Sequence, residues 1–208
     1  MLNLELAWQM VCQTVGADQE RAQVLLTELE RAYRGPGRFY HTLDHIQAML
    51  AWVERVKDEA SDLPALRLAV WFHDCVYDPR ASDNEERSAF YAEQALASLA
   101  LSHELIQKVS RLILCTKTHE VDAAWRDGQL LLDADLAVLG SPPRMYDAYA
   151  QAIRQEYGHV PARVYASARR QILYAFLRRP RIYLTETMYA DLEQQARENL
   201  NREIAALA

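Results

Sequence analysis

Apolar residues recur every three or four positions along most of the chain. Ile46, Met49, Leu50 and Val53 form one such set, and Leu105, Ile106, Val109, Leu112 and Ile113 another. Tyr146, Tyr149, Ile153 and Tyr157 follow, then Met188, Leu192, Ala196, Leu200 and Ile204. Each set lines one face of a 3.6-residue turn and predicts an amphipathic helix. Start signals agree: Thr42 precedes the first set, Pro64 and Pro161 fall in first turns, Ser82 is followed three residues on by Glu85, and Thr185 precedes the last long helix. Period-two alternation is nearly absent. Punctuation is confined to short clusters such as RGPGR, YDPRASDN, GSPPR and GHVP, with no repeat and no low-complexity tract. The pattern predicts an all-α fold, a helical bundle formed by residues 1–208 as one domain.

One segment departs from amphipathicity. LPALRLAVWFHDCV, from Leu63 to Val76, is apolar on almost every face, as a helix is when neighbours surround it. It ends in His73 and Asp74. An uncompensated buried carboxylate costs several kcal/mol, so such an Asp is hydrogen-bonded, ion-paired or bound to metal. Imidazole beside carboxylate suits a borderline divalent cation, although neighbouring helical side chains diverge by about 100° and reach one ion only near a helix end. The alternative for a lone His-Asp pair is a capping or core role. Upstream, RFYHTLDHIQAML puts His45 at the edge of an apolar stripe in the first turn of a helix capped by Thr42, with His41 just before it. Downstream, LLLDADLAVLG places Asp133 and Asp135 in another apolar run. These two project to different sides, so only one of them is expected to share a site with His73 and Asp74.

Composition narrows the function classes. The 208 residues are 50% hydrophobic and 25% charged, with 6 Gly and 7 Pro, which describes a folded chain able to bury a core without staples. Cys12, Cys75 and Cys115 are an odd number, widely spaced in apolar surroundings, and are expected as reduced core residues in a cytoplasmic setting. MLNLELAWQM has no basic region ahead of an apolar run, and no window approaches 18 uninterrupted apolar residues, so neither a secretory leader nor a membrane span is expected. Net charge is −6, yet Arg154 to Arg181 holds seven arginines against one acid, Glu156. An acidic chain with one basic segment argues against nucleic-acid binding and leaves room for one small phosphate-bearing ligand. The competing reading of that segment is a solvated face with a salt-bridge network. A homodimer through an apolar, tyrosine-bearing face is also compatible with the composition.

Taken together, a histidine, a His-Asp dyad 28 residues later and an Asp about 61 residues beyond that resemble the HD superfamily of metal-dependent phosphohydrolases. His45-Ile46, WFHDCVYDP and Ala134-Asp135-Leu136 match the contexts in which that family carries its ligands, and NEERSA at Asn84 to Ala89 resembles the segment after the dyad. EYGHVPARVYASARRQILYAFLRRPRIYLTE and the closing helix look like a bacterial subgroup named by fold and motif, which extends the likeness over nearly the whole chain. The resemblance implies an all-α bundle around a divalent ion, with a metal-binding core at about 38–140 and C-terminal helices at 143–207 packing on it. The ligands it implies are His45, His73, Asp74 and Asp135, and the ion is Mn, Fe or Zn in preference to Mg because of the nitrogen donors. It implies hydrolysis of a phosphoester or phosphoanhydride bond in a small, nucleotide-like substrate.

One departure matters. Guanosine-tetraphosphate hydrolases of the family place a Glu-Asp pair two residues after the dyad, where this chain has Tyr77-Asp78. Asp78 and Glu85 are therefore rival candidates for the catalytic base. Candidate substrate contacts are Arg38, His41, Lys117, His119 and Arg170. Structural alternatives are a turn cap for Arg38, a hydrogen bond to a ligand histidine for His41, and helix C-terminal complementation for Lys117 and His119. His103 and His159 sit beside helix-start signals and are expected at the surface. Two other function classes remain in view: a non-catalytic nucleotide sensor that keeps the metal pocket, and a di-iron oxygenase drawing extra ligands from His41 and His119.

Overall fold

A computed structural model describes residues 2–207. Among the described residues there are ten α-helices, two short 3-10 turns and no strand. The helices are α1 (Leu4–Thr14), α2 (Gln19–Tyr33), α3 (Leu43–Arg55), α4 (Leu63–Phe72), α5 (Asn84–Ser98), α6 (His103–Cys115), α7 (Arg126–Leu136), α8 (Pro143–Glu156), α9 (Ala162–Arg178) and α10 (Glu186–Ala206). Where periodicity suggests one domain, the helices form two compact units, with the division between Ala134 and Asp135, inside α7.

In the first unit α4 is the centre, with α1, α3, α5 and α6 packed on it. Leu66, Leu68, Ala69, Val70, Trp71 and Phe72 all have zero exposure. Burying a side chain of leucine size contributes about 1.5–3 kcal/mol, so these six apolar residues hold α4 in the interior, with Arg67 as its polar exception, paired with Glu54. The Asp62 side chain caps α4 by accepting from the Ala65 amide, and Pro64 sits in the first turn. The carboxylate of buried Asp127 accepts the amides of Ser61 and Asp62 at 2.7 and 3.0 Å, which satisfies the donors just ahead of α4. Trp8 of α1 meets the Trp71 ring edge-on at 5.4 Å and donates its indole N–H to the carbonyl of Ala22.

In the second unit the 3-10 turn Ala137–Gly140 lies against α10 and α8. The backbones approach so closely that a Cβ on Gly140 would stand 2.6 Å from Leu192 Cβ. Asn199 of α10 donates to the carbonyls of Leu139 and Ser141, and buried Glu193 accepts the amides of Ile182 and Tyr183 while pairing with Arg197. Part of the predicted basic segment is paired with acids of α10. Arg169 is paired with Glu203, Arg181 with Glu186, and Arg154 donates to the carbonyls of Tyr157 and Val160. Two of the seven arginines thus form ion pairs, and Arg154 serves as a backbone tie.

Several local expectations need correction. The residue capping α5 is Asp83 rather than Ser82, and Pro161 is the residue before α9 rather than a member of its first turn. Thr185 stands at the cap of α10, but no capping bond comes from its side chain. Cys12 and Cys75 are buried, whereas Cys115 is half-exposed with its thiol against the Leu112 carbonyl, and none of the three is in a disulfide. No helix among the described residues is long and apolar enough to cross a membrane.

Candidate metal centre

The site grows from two helix ends in the first unit. Thr42 caps α3 by accepting the Asp44 amide, and its carbonyl accepts the backbone amides of His45 and Ile46. This places His45 in the first turn, 5% exposed and on the buried face with Ile46, Met49 and Leu50. His73 is the C-terminal cap of α4, 1% exposed, and Asp74 follows where the helix has ended. A helix end is what neighbouring His and Asp side chains need in order to converge.

They do converge. His45 Nε2 lies 3.3 Å from His73 Nε2, and His73 Nε2 lies 3.0 Å from Asp74 Oδ2. On its other edge, His73 Nδ1 is 3.0 Å from the carbonyl oxygen of Val70. A carbonyl can only accept, so Nδ1 carries a proton and Nε2 of the neutral ring presents its lone pair to the carboxylate. Two electron-rich atoms at 3.0 Å in a buried place require a positive centre, supplied either by a second ring proton or by a cation.

The donor set fits a divalent ion. Donors held about 2.0–2.2 Å from one ion stand about 3.0–3.5 Å apart in tetrahedral or octahedral arrangements, and the separations of 3.3 and 3.0 Å fall in that range. The hydrogen bond from Nδ1 to a backbone carbonyl is also the usual way a ligand histidine is oriented. Asp135 is carried by α7 and is the first residue of the second unit. Its neighbour Asp133 is fully buried.

His41 faces the Asp74 carboxylate, and its ring also meets that of His45 edge-on at 6.0 Å. Its Nε2 is 3.8 Å from Asp74 Oδ2 and its ring lies 4.2 Å from that of Tyr77. Arg38 does not cap the RGPGR turn. Its guanidinium donates to the carbonyls of His41 and Cys75, each at 3.0 Å, with the rings of Tyr33 and Tyr77 at 5.1 and 5.3 Å.

Of the remaining candidates, Asp78 and Lys117 have structural partners of their own. Asp78 is exposed and builds a turn, accepting the Arg80 amide while its own amide donates to Asn84 Oδ1. Glu85 is half-buried in the first turn of α5. Lys117 is ion-paired with Glu86 and donates to the Ser82 carbonyl, so it ties the end of α6 to the start of α5 instead of complementing its own helix. His119 is half-buried with φ of 51°. Arg170 lies on α9 of the second unit. His103 and His159 are exposed, as expected.

Sequence reasoning did not find Tyr33, Tyr77 or the Val70 carbonyl. Tyr33 occupies a core position of α2 and donates to the Trp71 carbonyl, so its apolar context hid a polar task. A backbone carbonyl leaves no trace in residue identity. Comparison with family models, with curated proteins and with solved structures returned no match.

Proposed function

We propose that the protein is a metal-dependent phosphohydrolase acting on a small, nucleotide-like phosphate ester or anhydride, with His45, His73, Asp74 and Asp135 as ligands. The observation that carries this reading is the pair of contacts at His73 Nε2, 3.3 Å to the buried His45 Nε2 and 3.0 Å to Asp74 Oδ2. A divalent ion held there supplies a Lewis acid and an activated water near neutral pH. The chain's own part is orientation. Val70 fixes the His73 tautomer, Thr42 starts the turn that presents His45, and Tyr40 packs on the His45 ring at 4.7 Å between centroids. His41 shares the Asp74 carboxylate, and its side chain is 18% exposed. From there its protonated ring can donate to a phosphate oxygen, the kind of contact that stabilises charge developing during transfer.

The test combines metal analysis with turnover. Protein purified without chelators is expected to carry Mn, Fe or Zn and to hydrolyse at least one member of a panel of mono-, di- and triphosphates. His73→Ala and Asp74→Ala are expected to lose both the metal and the activity. Metal-replete protein inactive on the whole panel, with variants that behave identically, would falsify the reading.

One observation favours the non-catalytic sensor as a second reading: the cations Arg38 and Lys117 have intramolecular partners, and the candidate base Asp78 builds a turn. Thermal stabilisation by nucleotides without turnover would select it.

A further inference from the structure

The two segments that bring the ligands together come from opposite sides of a gap in sequence, and a single side chain spans it. The His41–His45 segment leads into α3, and the His73–Cys75 segment leaves α4. Arg38 Nη1 donates to the carbonyl of His41 and Nη2 to the carbonyl of Cys75, both at 3.0 Å. These two acceptors flank the site: one belongs to the residue whose ring faces Asp74, the other to the residue after Asp74. Tyr33 and Tyr77 lie against the guanidinium at 5.1 and 5.3 Å. Tyr33 is itself anchored by its hydroxyl to the Trp71 carbonyl at 2.9 Å, two residues before His73. Tyr77 also lies 4.2 Å from the His41 ring. The guanidinium is therefore held in place by aromatic partners that also touch the site's own segments.

Resting on the metal-site reading above, we propose that Arg38 is a positioning residue: its guanidinium sets the spacing of the two histidine-bearing segments, and so the ligand geometry, instead of serving as a contact to substrate phosphate. The chemistry of the group supports this. A planar guanidinium presents two N–H groups in a fixed fork and reaches two carbonyls at once, whereas a lysine ammonium is a point charge on a flexible stem that cannot hold both at a set separation. Each carbonyl accepts a charge-assisted bond, and the pair is directional as well as attractive.

The experiment compares wild type with Arg38→Lys, which keeps the charge, and Arg38→Gln, which keeps one neutral amide. Cobalt(II) and zinc affinities are read by chelator competition, the cobalt(II) visible bands report coordination geometry, and the ring 15N resonances of His45 and His73 are recorded without metal. If Arg38 positions the ligands, Arg38→Lys binds either ion about 10–100-fold more weakly, shifts the cobalt bands and displaces the His45 and His73 resonances. The metal-free melting temperature of Arg38→Lys stays close to that of wild type. Arg38→Gln shows the same pattern, so the result does not depend on one variant folding. Full rescue by Arg38→Lys, with metal affinity, cobalt bands and ring resonances all unchanged, overturns the proposal, and a raised KM as its only defect identifies a phosphate contact instead. A wild-type protein that takes up neither ion removes the metal reading, while the ring resonances still decide whether Arg38 sets the histidine geometry.

Discussion

Individual side chains in this protein are tuned mainly by burial. Cys12 is fully enclosed in α1, and removal from water pushes its thiol from 9.0 up to about 12. The folded state therefore keeps a proton that the unfolded chain loses from about pH 9 upwards. Its contribution is intact below pH 9 and declines as pH rises towards 12, by at most about 1.4 kcal/mol per pH unit for one group. Urea unfolding at a series of pH values from 8 to 11 is expected to show this fall, with a shallower slope in Cys12→Ala. Equal slopes would mean that the thiol is not held neutral by the fold. The same physics explains why Cys75, buried beside Asp74, is pushed up to about 12 and is a packing residue.

At the scale of elements, two helix pairings show different ways of being held. Helix α4 is held mainly by apolar contact, with Arg67 paired to Glu54 and with Asp62 and Asp127 meeting the backbone donors at its start. Helices α9 and α10 are joined by a buried ion pair: Arg169 Nε donates to Glu203 Oε1 at 2.8 Å, and Tyr146 of α8 donates to the same carboxylate. Both side chains of the pair are less than a tenth exposed. Removing one partner leaves an uncompensated buried charge, a loss of about 3–5 kcal/mol. Glu203→Ala is accordingly expected to lower the urea midpoint strongly, and the double variant Glu203→Ala with Arg169→Met to recover part of that loss. A double variant no better than Glu203→Ala would show that the lost packing, not the orphaned charge, sets the cost.

For the whole molecule, the proposed metal site predicts a link between ion binding and stability. An ion that binds the folded state alone stabilises it by mass action, about 2.7 kcal/mol at a free concentration 100 times its Kd. Manganese or zinc is therefore expected to raise the melting temperature of the wild type and a chelator to reverse the rise, while His73→Ala is expected to respond to neither. The helical architecture was legible because periodicity is local: Ile46, Met49, Leu50 and Val53 had one face to bury, and all four are buried. His45 and His73 were legible as polar residues in apolar company, since burial of a polar group demands a partner. What no stretch of sequence contains is the partner itself. The 3.3 Å meeting of two rings 28 residues apart, the Val70 carbonyl that orients one of them and the guanidinium that spans two segments all depend on distances through space. The sequence alone determined which residues must be helical and which must be satisfied. Packing of α3 against α4 decided what satisfies them, because hydrogen bonds and ligand contacts are set within tenths of an ångström and side-chain patterns only within a helix face.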